Sequence, residues 1–178
     1  MNNIYDYLID TNYISALWDE NHKSHEKIKI FTESKNYSHY LISTISVGEI
    51  LFGQEFNKDK LHSSIILEKR AKIREKIKEH YGYIVKIDRH VSEEYSKIKA
   101  ALLKKHRRKG RKLKTEYITE ELYTENREPA EIIGVQENDL WIAATALCYN
   151  YILITDDKMA KIEETISELY PDFKMVHL

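Results

Sequence analysis

The chain has 178 residues, enough for one domain with a substantial buried core. Its 28 Lys and Arg residues nearly balance its 29 Asp and Glu residues, so the net charge does not single out a partner of either sign. The only cysteine, Cys148, excludes an intrachain disulfide and indicates a reducing compartment.

Short apolar runs alternate along the chain with stretches of helical spacing. Buried strands are predicted at "YLID" (7–10), "HYLISTI" (39–45), "YIVKID" (83–88) and "YILITD" (151–156), and a last strand at "FKMVHL" (173–178). Helices are predicted at 12–20, 22–34, 46–56, 58–80, 91–108, 139–150 and 157–169. This alternation predicts a three-layer α/β fold, in which helices cover both faces of a mainly parallel sheet.

Residues 104–137 depart from this alternation. The helical spacing of apolar residues fades after Leu103, where "KKHRRKGRKLK" (104–114) brings eight Lys or Arg residues and "TEYITEELYTENREPAE" (115–131) brings six Glu residues. We interpret the chain as a single domain, 1–178, with a charged insertion at about 104–137.

The sequence predicts neither a membrane span nor a secretion signal. The longest apolar run, Leu140–Thr155, is interrupted by Asn150 and is short for a bilayer span. The stretch "MNNIYDYLID" has no basic region, and Asp6 and Asp10 fall where a signal peptide is apolar. We therefore expect a cytoplasmic protein.

Acidic residues stand at the ends of several apolar runs. Asp10, Asp88 and the adjacent Asp156 and Asp157 follow predicted strands, and Asp139 begins a predicted helix. The carboxyl ends of parallel strands share one sheet edge, where open α/β folds bind ligands. For Asp10, Asp88 or Asp139 alone, a helix N-cap worth about 1 kcal/mol is the simpler explanation.

Capping does not explain the whole set. An adjacent pair needs only one capping residue, and Glu49 lies inside the helix of "ISVGEILFG", where a solvated face is the alternative explanation. Two carboxylates that converge to about 4 Å repel by roughly 4 kcal/mol at an effective dielectric near 20. Four such groups would need protonation or a cation, and an oxygen-only set suits Mg²⁺ or Mn²⁺ rather than zinc.

Four blocks of the sequence, in this order, resemble a known nuclease family. The blocks are "YLIDTN", "ISVGEILFG", "NDLWIAATAL" and "LITDD", and they resemble those of PIN-domain nucleases, especially the VapC-type toxins of toxin–antitoxin pairs. The likeness covers nearly the whole chain apart from the insertion. It implies a PIN-like fold and metal-dependent endonucleolytic cleavage of RNA that leaves 5′-phosphate and 3′-hydroxyl ends.

The resemblance also implies which residues form the site. The acids that match the metal-binding and catalytic positions are Asp10, Glu49, Asp139 and Asp157, and the residues that match positions beside them are Thr11, Asn12 and Thr155. The family pattern Thr, any residue, Asp selects Asp157 over Asp156, and strand alternation would put Thr155 and Asp157 on one side. Asp156 is then a neighbouring acid or a cap on the next helix.

The resemblance further implies partners, with alternatives. We expect an RNA substrate and a small antitoxin protein, and the resemblance also allows a homodimer. One alternative is a PIN-type RNA-processing nuclease without an antitoxin. Another is a metal-free PIN-fold module that binds RNA or protein, which metal-dependent cleavage of an RNA mixture would exclude.

The basic block lies outside the family pattern. Its Lys and Arg residues are Lys104, Lys105, Arg107, Arg108, Lys109, Arg111, Lys112 and Lys114. RNA binding through phosphate contacts and a solvated, ion-paired surface explain these residues equally well.

Two other features favour a structural explanation. His22 and His25 have a spacing that could hold a metal, but nothing nearby completes such a site, so a solvated helix face explains them better. The aromatic residues of "HYGYIV" (80–85) could stack on bases, yet their entry into a strand is more typical of a core.

Overall fold

The computed structural model describes residues 6–34, 39–56, 64–79, 83–106, 135–157 and 159–178. The strands in these ranges are β1 (Asp6–Ile9), β2 (His39–Ser43), β3 (Ile84–Val85), β4 (Ile152–Thr155) and β5 (Met175–His177). The helices are α1 (Thr11–Trp18), α2 (His25–Ser34), α3 (Thr44–Phe56), α4 (Ser64–Glu79), α5 (Arg89–His106), α6 (Glu137–Cys148) and α7 (Ala160–Leu169). Strands and helices alternate as the sequence predicts.

The five strands form one sheet in the spatial order β3-β2-β1-β4-β5, and every pair is parallel. The central strand β1 pairs on both sides, because Ile9 lies opposite Ile42 of β2 and Ile154 of β4. Parallel neighbours need crossover connections, which the helices provide. The residues just after Ile9, Ile42 and Ile154 therefore reach the same carboxyl edge of the sheet.

Helices cover both faces of this sheet. On one face, Leu8 and Leu153 are fully buried in a cluster that includes Ile98 of α5 and Ile162 of α7. On the other face, alternate strand residues pack against α1 and α2 in a second cluster of Tyr7, Ile9, Ile154, Ile14 and Ile28. The predicted three-layer α/β fold is confirmed, and its buried strands explain the nearly continuous apolar runs.

Helix α6 is held against α5 by specific side-chain contacts. The ring of Tyr95 stacks on that of Trp141, with centroids 3.7 Å apart and planes at 4°. One turn away on each helix, Lys99 Nζ lies 2.8 Å from Glu137 Oε1 in a largely sheltered ion pair. These contacts fix the first turn of α6, which carries Asp139.

The third strand is shorter than predicted. Among the described strands β3 lies at the edge and pairs with β2, and the chain leaves the sheet after Val85. Asp88 then caps α5, since its Oδ1 accepts a bond from the Val91 amide at 3.0 Å. Tyr83, whose ring was expected in the core, is 48% exposed, so that expectation is wrong for this residue.

The predicted insertion lies mostly outside the described residues. Its first residues, through His106, complete α5, and Glu137 already begins α6. Residues 107–134, with the rest of the basic block, are outside the described ranges. Among the residues that are described, no helix combines the length and the hydrophobicity that a bilayer crossing requires.

Candidate active site

Asp10 is the central acid of the sheet edge. It directly follows β1, and its backbone amide donates to the Ile154 carbonyl oxygen at 3.1 Å. The residue is 2% exposed, and its carboxylate accepts two hydrogen bonds, one from the Tyr13 amide at 2.7 Å and one from the Thr155 hydroxyl at 2.5 Å. Asp10 therefore caps α1, as one of its two explanations predicted, and also lies at the shared edge.

Burial and neighbouring negative charge disfavour the ionised form of Asp10. Its pKa is raised from 3.8 to about 6, chiefly by burial, although the bonds from Thr155 and Tyr13 favour the charged form. The negative charges of Asp157 and then Asp156 contribute smaller parts of this rise. Asp156 and Asp157 therefore lie close enough to Asp10 for their charges to affect its pKa.

Glu49 joins the same edge from α3. Its Oε2 accepts a hydrogen bond from the Thr11 hydroxyl at the start of α1, and its Oε1 accepts one from Asn138 Nδ2 at 2.7 Å. Glu49 is only partly exposed, so the solvated-face explanation does not describe it. Both its oxygens are held by neutral donors from two other helices.

Asp139 lies in the first turn of α6 and faces the other acids. Its pKa is raised from 3.8 to about 7, mainly by burial and then by the negative charges of Asp157, Glu49 and Asp10. The N-cap position of α6 belongs to Gln136, so the capping explanation of Asp139 is wrong. The structure thus brings all four predicted acids into one electrostatic neighbourhood.

A turn after β4 selects between the adjacent acids. The strand ends at Thr155, so the argument from strand alternation does not apply to the residues that follow. Instead, the Thr155 hydroxyl accepts a bond from the Asp157 amide at 2.9 Å while donating to Asp10. Asn12 Nδ2 donates to Asp157 Oδ2 at 2.6 Å, which ties this carboxylate to α1.

Asp156 is exposed to solvent beside this turn. The N-cap position of α7 is occupied by Met159, without a side-chain cap, so Asp156 does not cap that helix. Of its two predicted roles, only that of a neighbouring acid remains. Asp88 also stays outside the group, since its second oxygen accepts a bond from the Tyr149 hydroxyl at 2.8 Å.

The four acids are of a residue type that binds divalent cations, but their side chains are not arranged as ligands of one ion. No three His, Cys, Asp or Glu side chains in the described ranges are placed to hold one metal ion together. The oxygens of Asp10, Glu49 and Asp157 accept bonds from hydroxyl, amide and backbone donors instead. His22 and His25, the other candidate pair, bond to the Ser24 amide and the Ala16 carbonyl oxygen.

Asn138 is a site residue that sequence reasoning did not single out. It stands immediately before Asp139 in the block "NDLWIAATAL", which was the only signal available. A first-turn residue can point along or away from the sheet edge, and sequence spacing does not decide between these directions. The contact with Glu49 appears only once α3 and α6 are placed together.

The described part of the basic block is divided between two environments. Lys104 is exposed, whereas Lys105 Nζ lies 2.8 Å from Glu164 and 2.7 Å from Glu168 on α7. The charge of Lys105 is thus already paired within the fold. The predicted RNA contacts of Arg107, Arg108 and the residues to Lys114 lie outside the described residues.

Together, the sheet and its edge define an α/β protein whose acids converge where such folds bind ligands. The sequence model of the PIN domain family matches residues 7–164. The chain therefore belongs to the PIN domain family, which is a family of nucleases. A comparison with curated proteins found no match.

Three solved structures illustrate the likeness in fold. They are FitAB bound to an IR36 DNA fragment (TM-score 0.62, 18% identity, covering 96% of this chain and 94% of that chain), FitAcB from Neisseria gonorrhoeae (0.58, 18%, 96% and 96%), and VapBC2 from Rickettsia felis bound to a DNA fragment from its promoter (0.55, 14%, 97% and 98%). At these identities the likeness is one of fold.

Proposed function

We propose that the chain is a divalent-metal-dependent endoribonuclease whose site is formed by Asp10, Glu49, Asp139 and Asp157. The observation that carries this proposal is the convergence of four acids from separate elements on one sheet edge. The raised pKa values of Asp10 and Asp139 support it, because they reflect the burial of both carboxyl groups and, after it, the negative charge of the neighbouring acids. Such raised pKa values are characteristic of a functional site.

The donor set fits Mg²⁺ or Mn²⁺. The four acids offer only oxygen ligands, which hard divalent cations prefer, and a cation would relieve their mutual repulsion. Asp10, Glu49, Asp139 and Asp157 would hold the ion after side-chain rotations that bring together carboxylate oxygens now bonded to other donors. When bound, it would supply neutralising charge at a phosphate and acidify a water molecule for in-line attack.

The polar neighbours of the acids orient them for this task. Thr11 and Asn138 hold the two oxygens of Glu49, so that its carboxylate keeps one direction. Thr155 links Asp10 to the backbone of Asp157, and Asn12 restrains the Asp157 carboxylate. Residues that orient metal ligands set their geometry and basicity.

The biological role we propose is that of a toxin restrained by a small antitoxin in the cytoplasm. The motif resemblance to VapC-type toxins supports this role, and so does the occurrence of similar folds in the FitAB and VapBC2 complexes. A homodimer is part of the same proposal. A neighbouring gene for a small DNA-binding protein would separate a toxin from an RNA-processing nuclease of the same family.

Cleavage of a bulk RNA mixture by the purified protein tests the enzymatic proposal. We expect fragments with 5′-phosphate ends in Mg²⁺ or Mn²⁺, and none in EDTA. Single-stranded DNA should be cut poorly under the same conditions. Undiminished cleavage in EDTA would refute the metal dependence, and binding of RNA without cleavage in either metal would favour a binding module.

Replacing Asn138 by leucine should weaken the affinity of the site for the metal ion without unfolding the chain. The change removes the bond to Glu49 Oε1, and loss of such an orienting partner costs about 10–100-fold in metal affinity or activity. The Mn²⁺ concentration for half-maximal cleavage should therefore rise. Asn138→Asp adds a negative charge beside Glu49 and should also lose activity. Asn138→Gln keeps an amide donor and should be more active than Asn138→Leu. An unchanged Mn²⁺ dependence of cleavage by Asn138→Leu would show that Asn138 does not contribute to the site.

RNA binding by the basic block is a separate proposal. Replacing Lys104, Arg107, Arg108 and Lys109 by glutamine should weaken RNA binding and flatten its salt dependence by roughly 0.7 log unit per lost phosphate contact. Lys105→Gln is the matched control, because its charge is already paired with α7. Equal salt slopes for the multiple variant and the native protein would assign the block to a solvated surface.

A further inference from the structure

Four side chains, which we call the α5–α6 cluster, join α5 to the beginning of α6. Lys99 Nζ donates to Glu137 Oε1 at 2.8 Å and to the Tyr95 hydroxyl at 2.6 Å. The Tyr95 ring in turn stacks on that of Trp141. The side chains of Lys99 and Glu137 are only 20% and 28% exposed, so this contact is sheltered from water. The cluster thus attaches α6 to α5 at two positions, Glu137 and Trp141.

Lys99 is the partner that stabilises the ionised carboxylate of Glu137. The second oxygen of this carboxylate, Oε2, is buried and accepts no hydrogen bond from any residue that the structure describes. A sheltered carboxylate that loses its cationic partner is left with an uncompensated charge. The first turn of α6 is therefore most stable where Glu137 meets Lys99.

The cluster and the acids lie on different sides of α6. Residues four apart share one side of a helix, so Glu137 and Trp141 both face α5. At about 100° per residue, Asp139 lies about 200° around the helix axis from Glu137, and Asn138 about 100°. Asn138 reaches Glu49 from there, and Asp139 faces the other acids. The rotation of α6 about its own axis therefore decides where both site residues point.

A small rotation of α6 would displace the site residues. At a distance of about 5–6 Å from the helix axis, a rotation of about 10° moves a side-chain group by about 1 Å. Groups that act together at a site have to be held within about 0.5 Å and 10–20° of their productive geometry. The bond of 2.7 Å from Asn138 to Glu49 would not survive a shift much larger than this.

We propose that the α5–α6 cluster sets the rotation of α6 and so places Asn138 and Asp139 for metal binding. Lys99 and Glu137 are then positioning residues, because they act through the helix and not by contact with the ion. The proposal rests on the proposed metal-dependent function, and it adds a determinant of metal affinity on the side of α6 that faces away from Asp139.

The charge of Lys99 separates this positioning role from a direct electrostatic effect. Removal of a positive charge near a cation site would by itself strengthen the binding of Mn²⁺, because like charges repel. Loss of positioning would weaken that binding. The two effects therefore have opposite signs when Lys99 is replaced by a neutral residue.

The test measures Mn²⁺ binding to the full chain without RNA, from the electron paramagnetic resonance signal of free Mn²⁺, and stability from urea unfolding in EDTA. The variants are Lys99→Met and Lys99→Gln, the second of which keeps a polar group in this sheltered place. Lys105→Met is the matched control. Lys105 is also a sheltered lysine of α5, 24% exposed, but it pairs with Glu164 and Glu168 of α7. Circular dichroism verifies that each variant is folded.

We expect about tenfold weaker Mn²⁺ binding by Lys99→Met, since loss of a partner that orients metal ligands costs about 10–100-fold in affinity. Lys99→Gln should show a smaller loss, and Lys99→Arg, which retains a cation for Glu137, should bind Mn²⁺ nearly as well as the native protein. Lys105→Met should lose stability as Lys99→Met does, yet keep the native affinity for Mn²⁺. The Mn²⁺ concentration for half-maximal RNA cleavage by Lys99→Met should rise in parallel.

Two results would overturn the positioning role while the proposed function stands. Equal or stronger Mn²⁺ binding by folded Lys99→Met and Lys99→Gln would show that the cluster only stabilises the fold, and Lys99→Gln decides alone should Lys99→Met not fold. An equal loss of Mn²⁺ affinity in Lys105→Met would make the loss a general consequence of weaker helix packing. Absence of Mn²⁺ binding and of RNA cleavage by the native protein would instead refute the proposed function, and the positioning role with it.

Discussion

Replacing Asp10 by asparagine should abolish RNA cleavage and leave the fold intact. Residues that merely orient a metal ligand are worth about 10–100-fold, so loss of a central ligand should reduce cleavage by more than about a hundredfold. Asparagine is as good an N-cap as aspartate, and its oxygen can still accept the bond from the Tyr13 amide. The expected loss therefore isolates the charge of Asp10 from its structural role.

The same substitution should raise stability when no metal is present. Because the pKa of Asp10 is raised to about 6 in the folded chain, its ionised form disfavours folding at neutral pH. This penalty is complete above the folded pKa and disappears as the pH falls below 3.8, where Asp10 is protonated in both states. The rearrangement of the Thr155 hydroxyl opposes part of the gain.

Urea unfolding in EDTA measures this effect. We expect Asp10→Asn to have a higher midpoint than the native protein at pH 8, and the two midpoints to converge near pH 4. Asp88→Asn, at an acid outside the group, is the control and should not gain stability at pH 8. Full cleavage by Asp10→Asn would contradict the site assignment, whatever its stability.

The second large effect distinguishes Asp157 from Asp156. Asp157→Asn should lose most cleavage at saturating Mn²⁺, because the carboxylate that Asn12 restrains would no longer be charged. An asparagine oxygen can still accept the Asn12 bond, so the turn should persist. Asp156→Asn should lose little activity, since Asp156 is exposed, and such surface changes usually alter stability by less than about 0.5 kcal/mol.

The adjacent positions make these variants controls for each other. Both lose one negative charge from the field that raises the pKa of Asp10, so a nonspecific electrostatic effect would reduce both activities alike. Only a specific role for Asp157 predicts a large difference. A greater loss in Asp156→Asn would show that the assignment of the pair is reversed.

The fold was predictable because its strands are buried on both faces. Continuous apolar runs such as "YLID" and "YILITD" cannot remain solvated, and their alternation with helices leaves a parallel, covered sheet as the consistent arrangement. The parallel order then brings Asp10 and the end of β4 to one edge. Glu49 could be added only through the family resemblance, since its place within a helix fits a solvated face equally well.

The finer geometry of the site was not predictable from spacing. The contact between Thr155 and Asp157 arises from a turn, not from strand alternation, because the backbone leaves the extended conformation after Thr155. The bond from Asn138 to Glu49 depends on the packing of α6, which residues far along the chain, in α5, determine. Long-range packing of this kind leaves no local pattern in the sequence.

Sequencing of RNA 5′ ends from cells that express the protein tests the central claim most directly. The native chain should generate new 5′-monophosphate ends at discrete internal positions, and Asp10→Asn, expressed to the same level, should generate none. Such a result would establish endonucleolytic cleavage of RNA that depends on the acidic edge of the sheet. The same new ends in both samples, or no new ends with the native chain, would contradict it.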